Sequence, residues 1–160
     1  MKIDKYKRHK STIGYLAAKY IAVLMYILST IVLFIPYVGV FAWLVAFVFF
    51  YLEKDSEMVR LHSAQNGFLL LIYSIVDLLL KVIADVFIRM ALSSRSEVAY
   101  MNALVLQSHF NTAMRIVALI ILILNLLMIF FAYNYRFLNL PGLSKLAKAL
   151  HDKTKPGPLR

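Results

Sequence analysis

The sequence contains no cysteine among its 160 residues, and this absence excludes several kinds of chemistry. Without a thiol, the chain forms no disulfide, holds no metal through thiolate ligands and carries out no thiol redox reaction. Acidic residues are also scarce, with 8 Asp and Glu against 18 Lys and Arg, so the net charge is +10. The chain is therefore strongly basic and lacks thiol chemistry.

Catalytic patterns are missing as well. The four histidines are scattered along the chain and lack the spacing that metal ligands share. There is no glycine-rich nucleotide-binding loop, and no nucleophilic side chain has a base next to it in sequence. We therefore expect a protein that is not an enzyme, with no catalytic residue, no metal site and no cofactor.

Apolar residues dominate what is present. They make up 62% of the sequence, and the mean hydropathy of +0.75 is far above that of a soluble domain of this size. Four apolar segments are candidates for membrane-spanning helices, at about residues 13–35, 38–52, 62–85 and 114–134. Pro36 and Gly39 predict a tight reversal between the first two. The sequence thus predicts an all-α, polytopic membrane protein with four spans arranged as two antiparallel hairpins.

The second hairpin is expected to extend beyond the membrane. No glycine or proline occurs between Phe68 and Ser94, or between Ser96 and Tyr135. Helices over residues 62–92 and 97–133 would measure roughly 46 and 55 Å, against a bilayer core of about 30 Å. Part of each helix must therefore project from the membrane, with the connecting turn at residues 93–96.

The C-terminal region predicts a different kind of helix. After a break at Pro141 and Gly142, apolar side chains recur at helical spacing, namely Leu143, Leu146, Ala147 and Leu150. This pattern is typical of an amphipathic helix that lies on a membrane surface. We therefore divide the chain into a four-span membrane domain, residues 1–136, and a basic cytoplasmic segment, residues 137–160, which holds this interfacial helix and a tail.

The distribution of basic residues predicts the orientation. Most Lys and Arg lie near the two ends of the chain and in the connector between the second and third spans. Because basic loops stay on the cytoplasmic side, both termini are predicted to be cytoplasmic in a bacterial inner membrane. Lys19 interrupts the first apolar segment and is expected to snorkel to the inner surface. The basic ends suit anionic lipid headgroups better than nucleic acid.

The connector at residues 53–66 is the most polar stretch between the spans. Ser56 is expected to cap the helix that starts here. His62, Gln65 and Asn66 follow at i, i+3 and i+4, so they share one helical face where the helix enters the bilayer. His62 is the best single candidate for a functional residue because imidazole titrates near neutral pH. A hydrogen bond to a neighbouring backbone carbonyl is nevertheless the favoured role for this side chain.

The connector also resembles that of a known family. The matching positions are Lys54, Ser56, Val59, Arg60, His62 and Gln65. Over about residues 13–76, and loosely over the last span, the chain resembles the small four-helix membrane proteins that include the chloroplast inner-envelope import translocon subunit of about twenty kilodaltons and its bacterial relatives. The resemblance fades at residues 77–113. It implies a four-helix membrane fold and, through the plastid relative, a link to protein translocation.

A second polar set lies in the third span. Four charged side chains alternate in sign at i, i+4 spacing, namely Asp77, Lys81, Asp85 and Arg89. Two interpretations remain open, a solvated outer stretch of helix and a polar cavity that opens to the outside. A hairpin turn between Ser94 and Arg95 would set Asp77 level with residues 112–115, which predicts that Arg115 is its interhelical partner and shares it with Lys81.

A third polar set is predicted near the middle of the membrane. It consists of Ser29, Thr30, Tyr73, Ser74 and Asn125. Interhelical hydrogen bonding accounts for these residues better than a conduction path does.

Two functions remain open on this sequence. The first is an accessory or interaction subunit of a membrane complex, linked to transport or protein translocation, which binds a membrane-protein partner or a further copy of itself. It is favoured by the small chain and by the small-residue face of Gly39, Ala42 and Ala46 in the second span. The alternative is a stand-alone channel or transporter with a polar path lined by helices one, three and four.

Overall fold

The computed structural model describes residues 3–154, so the predicted tail at residues 155–160 lies outside the described part. The described residues form five α-helices: Ala18–Leu33 (α1), Ala42–Leu52 (α2), Glu57–Ser93 (α3), Glu97–Tyr133 (α4) and Leu143–Lys153 (α5). Two short strands, Ile3–Lys5 (β1) and Arg136–Leu138 (β2), form an antiparallel pair in which Ile3 lies opposite Leu138. The all-helical prediction is confirmed, whereas the small sheet was not predicted.

Helix α1 begins five residues later than the sequence predicted, at Ala18 rather than near Ile13. Gly14 and Tyr15 adopt positive φ angles of 64° and 54°, a conformation that a right-handed helix excludes. The chain folds back around them, since the Ser11 amide donates to the Leu16 carbonyl at 2.8 Å. The helix that remains has 16 residues, or about 24 Å.

The turn between α1 and α2 depends on glycine, as predicted. A Cβ built at Gly39 would collide with the carbonyl oxygen of Leu33, so only glycine fits this close approach. A 3₁₀ turn, Gly39–Phe41, then leads into α2. Ala42 and Ala46 are fully buried, which places the small-residue face of α2 against its neighbours.

Helices α3 and α4 are far longer than the hairpin of α1 and α2. Each has 37 residues, or about 55 Å, so the pair extends roughly 30 Å beyond that hairpin. We call residues 75–93 and 97–117 the arm. The buried apolar residues of the arm are Ala84, Ala91, Ala103 and Met114. Three of these four are alanines, so small side chains predominate where its two helices pack together. The predicted long hairpin and its turn are thus present, and its projection beyond a membrane stays a prediction.

Within residues 3–154, two helices, α3 and α4, are long and apolar enough to cross a membrane. The apolar stretches Ala18–Leu33 and Gly39–Leu52 are shorter. Their lengths of about 24 and 21 Å fall short of a bilayer core of about 30 Å. The described residues therefore contain two candidate spans, and the four spans stay a prediction.

The opposite end of the molecule, which we call the base, collects both ends of the described chain. It comprises β1, β2, α5, residues 6–17 and residues 53–67. Helix α5 begins at Leu143 as predicted, ends two residues later than predicted, and packs against α3, with Ala147 fully buried beside Leu61 and Ala64. Leu146 remains 48% exposed. The amphipathic helix therefore covers the start of α3 with one face and leaves the other open.

Candidate functional site

The first three turns of α3 form the most buried polar stretch of the described chain. Ser56 caps the helix as predicted, because its hydroxyl accepts a hydrogen bond from the Val59 amide at 3.2 Å. Every residue at positions 58–67 is buried. Polar side chains in such a place need partners, since an unpaired buried polar group costs about 1 to 3 kcal/mol. The partners show how the base is assembled.

His62 joins three elements. Its Nε2 lies 3.0 Å from the carbonyl oxygen of Arg136, and its Nδ1 lies 3.0 Å from the hydroxyl of Tyr26. Because a carbonyl only accepts, Nε2 carries the proton and Nδ1 accepts from Tyr26. Both nitrogens of a neutral imidazole are then satisfied, and the ring packs edge-on against Tyr26 and Phe137. This is the backbone-carbonyl role that the sequence favoured.

Gln65 connects α3 to the C-terminal region. Its Nε2 donates to the carbonyl of Leu138 at 3.2 Å, and its Oε1 accepts from the hydroxyl of Ser144 at 2.6 Å. The side chain is only 1% exposed. One buried amide thus fixes both β2 and α5 against α3.

Two buried asparagines bond to α1, one from α3 and one from α4. Asn66 of α3 donates to the hydroxyl of Ser29 at 2.8 Å, and Asn125 of α4 donates to the hydroxyl of Thr30 at 2.8 Å. The predicted interhelical hydrogen bonds are therefore confirmed for these pairs. Ser74 instead bonds within its own helix, to the carbonyl of Leu70.

The two asparagines also share a small cavity. It measures about 10 Å³, and Tyr26 and Gln65 line it too. The Oδ1 atoms of Asn66 and Asn125 accept no hydrogen bond from any described residue. We call these four residues, with His62, the polar core.

The polar core is closed toward the arm. One helical turn beyond Ser29, Asn66 and Asn125 along their helices, the side chains become apolar. Leu33, Leu70 and Ile121 pack there with the buried Ala42. A polar route through the described residues thus ends at this apolar layer.

Arg60 is buried although it was predicted only as a family-like position. Its Nη2 donates to the carbonyl and the hydroxyl of Thr154, at 3.1 and 2.5 Å. The guanidinium lies 4.7 Å from the ring centroid of Phe50, a distance that permits a cation–π contact. Arg60 therefore attaches the end of α5 to α2 and α3.

Glu53 is the principal residue that the sequence analysis missed. It is 1% exposed, and Oε1 accepts hydrogen bonds from the Thr12 amide and hydroxyl and from the Asp55 and Ser56 amides, at 2.9 to 3.1 Å. Its Oε2 accepts from the Ser11 hydroxyl. Burial alone would raise the pKa of Glu53, but these hydrogen bonds outweigh it and hold the pKa below the ordinary 4.5. Glu53 therefore serves as a charged anchor for the N-terminal segment.

One predicted contact in the arm is wrong. Asp77 lines a small cavity with Asn111 and Met114 of α4, close to the predicted level of residues 112–115. Its carboxylate pairs within α3, with Lys81 Nζ at 2.6 Å. Arg115 is exposed and forms no ion pair with Asp77 among the described residues. At its position on α4, the side chain points away from the interface that Met114 occupies.

Polar side chains that bond one element to another lie in the base and in the adjoining parts of α1 and α4. The ion pairs of the arm lie within α3. Tyr26, which was also missed, could have been found from its position one helical turn before Ser29 and Thr30. Among residues 3–154, no group of three or more His, Asp or Glu side chains is placed to hold a metal ion. The arrangement joins helices to one another and to the two ends of the described chain.

Comparison with known proteins found no relative, since no family model, no curated protein and no solved structure matches the chain. Membership of the small four-helix family stays a prediction.

Proposed function

We propose that this chain is a non-enzymatic accessory subunit of a membrane complex, held together by its base and bound to a partner membrane protein through its arm. The observation that carries the proposal is that α3 uses its side chains differently in the base and in the arm. Arg60, His62, Gln65 and Asn66 in the base are buried and bonded to other elements. The arm presents large apolar side chains to its surroundings, among them Leu79, Ile83 and Val86. Polar side chains thus hold the subunit together, and the exposed apolar side chains of the arm remain for contact with a partner.

The proposed location is a bacterial inner membrane, with both termini and the base on the cytoplasmic side. Support comes from the described basic residues of the chain ends, since Lys5, Lys7, Arg8 and Lys10 precede α1, and Arg136, Lys145, Lys148 and Lys153 follow α4. Such a concentration favours the cytoplasmic face and anionic headgroups. Helices α1, α2, α3 and α4 all enter the bilayer in this proposal. The shorter pair reaches the outer interface where the bilayer thins locally.

The absence of cysteine makes this orientation easy to test. We expect a cysteine at Lys54 to be protected from a membrane-impermeant maleimide in intact cells, and a cysteine at Ser94 to be labelled. Labelling of both residues after the cells are opened is the control for reactivity. Protection of Ser94 in intact cells would rule out a four-span arrangement with the arm directed outward.

Docking through the arm is tested by photo-crosslinking in native membranes. A photoreactive residue at Val86 lies on the arm, whereas one at Leu24 lies on the outer side of α1, and the two side chains are 48% and 43% exposed. We expect a discrete protein adduct from Val86 and none from Leu24. An adduct of twice the 18.4 kDa chain mass would identify a second copy as the partner. Lipid adducts alone from Val86 would overturn docking through the arm.

A stand-alone transporter is the second candidate, favoured by the polar core between α1, α3 and α4. Asn66 and Asn125, whose Oδ1 atoms accept no hydrogen bond from a described residue, both line one small cavity, as a binding site in a transport path would require. Against it, Leu33, Leu70 and Ile121 close the core toward the arm. We therefore expect no ion flux in proteoliposomes. Flux that Asn125→Leu abolishes while the protein stays folded would favour the transporter instead.

A further inference from the structure

A polar cavity at the base is distinct from the polar core. It has a volume of about 290 Å³ and lies between the N-terminal segment, the start of α1 and the end of α4. Its lining residues are Tyr6, Arg8, Lys19, Tyr133, Asn134 and Tyr135. We call it the basic cavity. Neither the helix contacts in the base nor the proposed docking of the arm uses it.

The walls of the basic cavity are fixed by backbone and ring contacts. The Tyr6 amide donates to the Tyr135 carbonyl at 2.9 Å, which ties the N-terminal segment to the end of α4. Lys19 Nζ lies 4.1 Å from the ring centroid of Tyr133 and 4.9 Å from that of Tyr20. These cation–π contacts hold the ammonium group at the edge of the cavity. The site is therefore built by three separate parts of the chain.

The charges of the basic cavity are unbalanced. Arg8 and Lys19 both line it, and neither forms an ion pair with a carboxylate in the part of the chain that the structure describes. Of the nearby acids, Asp4 is paired with Lys148 at 3.1 Å, and Glu57 at the start of α3 does not line the cavity. Two positive side chains thus face one space with no negative group in its lining.

Every residue that lines the basic cavity carries a hydrogen-bond donor. The donors are three phenol hydroxyls, one amide, one ammonium and one guanidinium. Burial, with the charges of Glu57 and Asp4 adding to it, raises the pKa of Tyr6, so its hydroxyl keeps its proton. A donor-rich lining with two cations complements an anion that offers several acceptor oxygens.

Helix ends contribute little net charge here. The positive end of α1 begins at Ala18, and the negative end of α4 finishes at Tyr133, so two dipoles of opposite sign meet at the same place. The anion preference therefore rests on Arg8 and Lys19. These can be removed by substitution, which makes the preference testable.

The size and position of the basic cavity narrow the ligand class. Its volume of about 290 Å³ is below the range of roughly 300 to 1,000 Å³ for pockets that take drug-sized ligands. Lys19 lies where the first apolar helix starts, and tyrosines such as Tyr20 and Tyr133 are typical of the membrane interface. A phosphate group of a lipid headgroup lies at this level of a bilayer.

We propose that the basic cavity binds a phosphate group, carried either by an anionic lipid headgroup or by a small soluble phosphate, through Arg8, Lys19 and the surrounding tyrosine hydroxyls. The two sources are separated by titrating the purified full-length chain in uncharged detergent. One arm uses short-chain phosphatidylglycerol, another inorganic phosphate, and a third a diacylglycerol of the same chain length that lacks phosphate. Binding in the first arm alone assigns a lipid, and binding in the second assigns a soluble phosphate.

Substitutions then test the residues. Arg8→Gln with Lys19→Gln should weaken binding about tenfold or more, because charge-assisted hydrogen bonds are lost. Lys7→Gln with Lys10→Gln is the matched control, since it removes two charges from the same segment outside the cavity lining and should change affinity by about twofold or less. Equal losses in the two double variants would show that only overall charge matters and would overturn the proposal.

Tyr133→Phe covers the case in which the first double variant does not fold. It keeps the ring beneath Lys19 and removes only the hydroxyl, so the protein should retain its melting temperature. We expect about threefold weaker binding, the effect of one neutral hydrogen bond. Unchanged affinity in this variant, or no binding of either phosphate compound by the wild-type protein, would overturn the proposal.

Discussion

The two ends of α3 both carry polar side chains, but they use them differently. Near the start of the helix, His62, Gln65 and Asn66 are buried, and each bonds an element other than α3. In the arm, the Asp77 and Asp85 carboxylates each bond a basic residue four positions later in the same helix. Polar groups thus fix how the base packs, whereas in the arm they only support the helix that carries them.

This difference has a clear energetic consequence. Removing one partner of a buried hydrogen bond costs about 1 to 3 kcal/mol, because the other partner is left unpaired. An exposed i, i+4 ion pair contributes only about 0.2 to 0.5 kcal/mol. Substitutions in the base should therefore destabilise the protein several times more than matched substitutions in the arm.

The largest effect is expected at Glu53. Glu53→Ala leaves the Ser11 and Thr12 hydroxyls and the amides of the connector without their acceptor, and it should cost about 3 kcal/mol or more. The measurement is the free energy of unfolding in detergent. Asp85→Ala, which removes an exposed carboxylate from the arm, is the control and should cost less than about 0.5 kcal/mol. Similar losses in the two variants would erase the distinction between base and arm.

His62→Ala should come next, at about 2 to 4 kcal/mol. The change opens a cavity in a fully buried site and leaves the Tyr26 hydroxyl and the Arg136 carbonyl without their imidazole partner. Met58 is also fully buried, but Met58→Leu conserves volume and should cost less than about 1.5 kcal/mol. Thermal unfolding of both variants under the same conditions makes the comparison. If His62→Ala melts like the wild type, its hydrogen bonds do not hold the base together.

A smaller effect is expected from acid. The pKa of Glu53 is lower in the folded state than its ordinary value of 4.5, so this group contributes stability above the unfolded-state pKa. That contribution is lost as the pH falls through the folded-state pKa. Melting temperatures from about pH 6 to about pH 3 should therefore fall, and they should fall less steeply for Glu53→Gln. Identical pH profiles for the two proteins would mean that other carboxylates dominate.

The sequence was sufficient to predict the long helices but not how they pack together. Long runs without glycine or proline predicted α3 and α4, and Ser56 predicted the start of α3, because local chemistry decides both. The start of α1 was misplaced, since the contact of Ser11 and Thr12 with Glu53 spans about forty residues of chain. Such a contact has no local signature.

The polar core was predicted in part for the same reason. The i, i+3 and i+4 spacing of His62, Gln65 and Asn66 gave their common face. The spacing did not predict their hydrogen-bond partners. Tyr26, Leu138 and Ser144 belong to elements that only tertiary packing brings to α3. The strand pair of the base was missed because each strand has only three residues, too few for a periodic pattern.

The smallest effects should come from the arm, where a double-mutant cycle decides which partner Asp77 has. Its carboxylate is 13% exposed and pairs with Lys81, which is 60% exposed, whereas Arg115 is exposed and does not pair with it. Asp77→Asn and Lys81→Gln should therefore couple by about 0.3 to 0.5 kcal/mol if water surrounds the pair, and by more than about 1 kcal/mol if lipid does. Asp77→Asn and Arg115→Gln should be additive within about 0.3 kcal/mol. Strong coupling between the Asp77 and Arg115 substitutions would instead support the interhelical pair that the sequence predicted. The arm would then resemble the base, because a polar contact would join two of its helices.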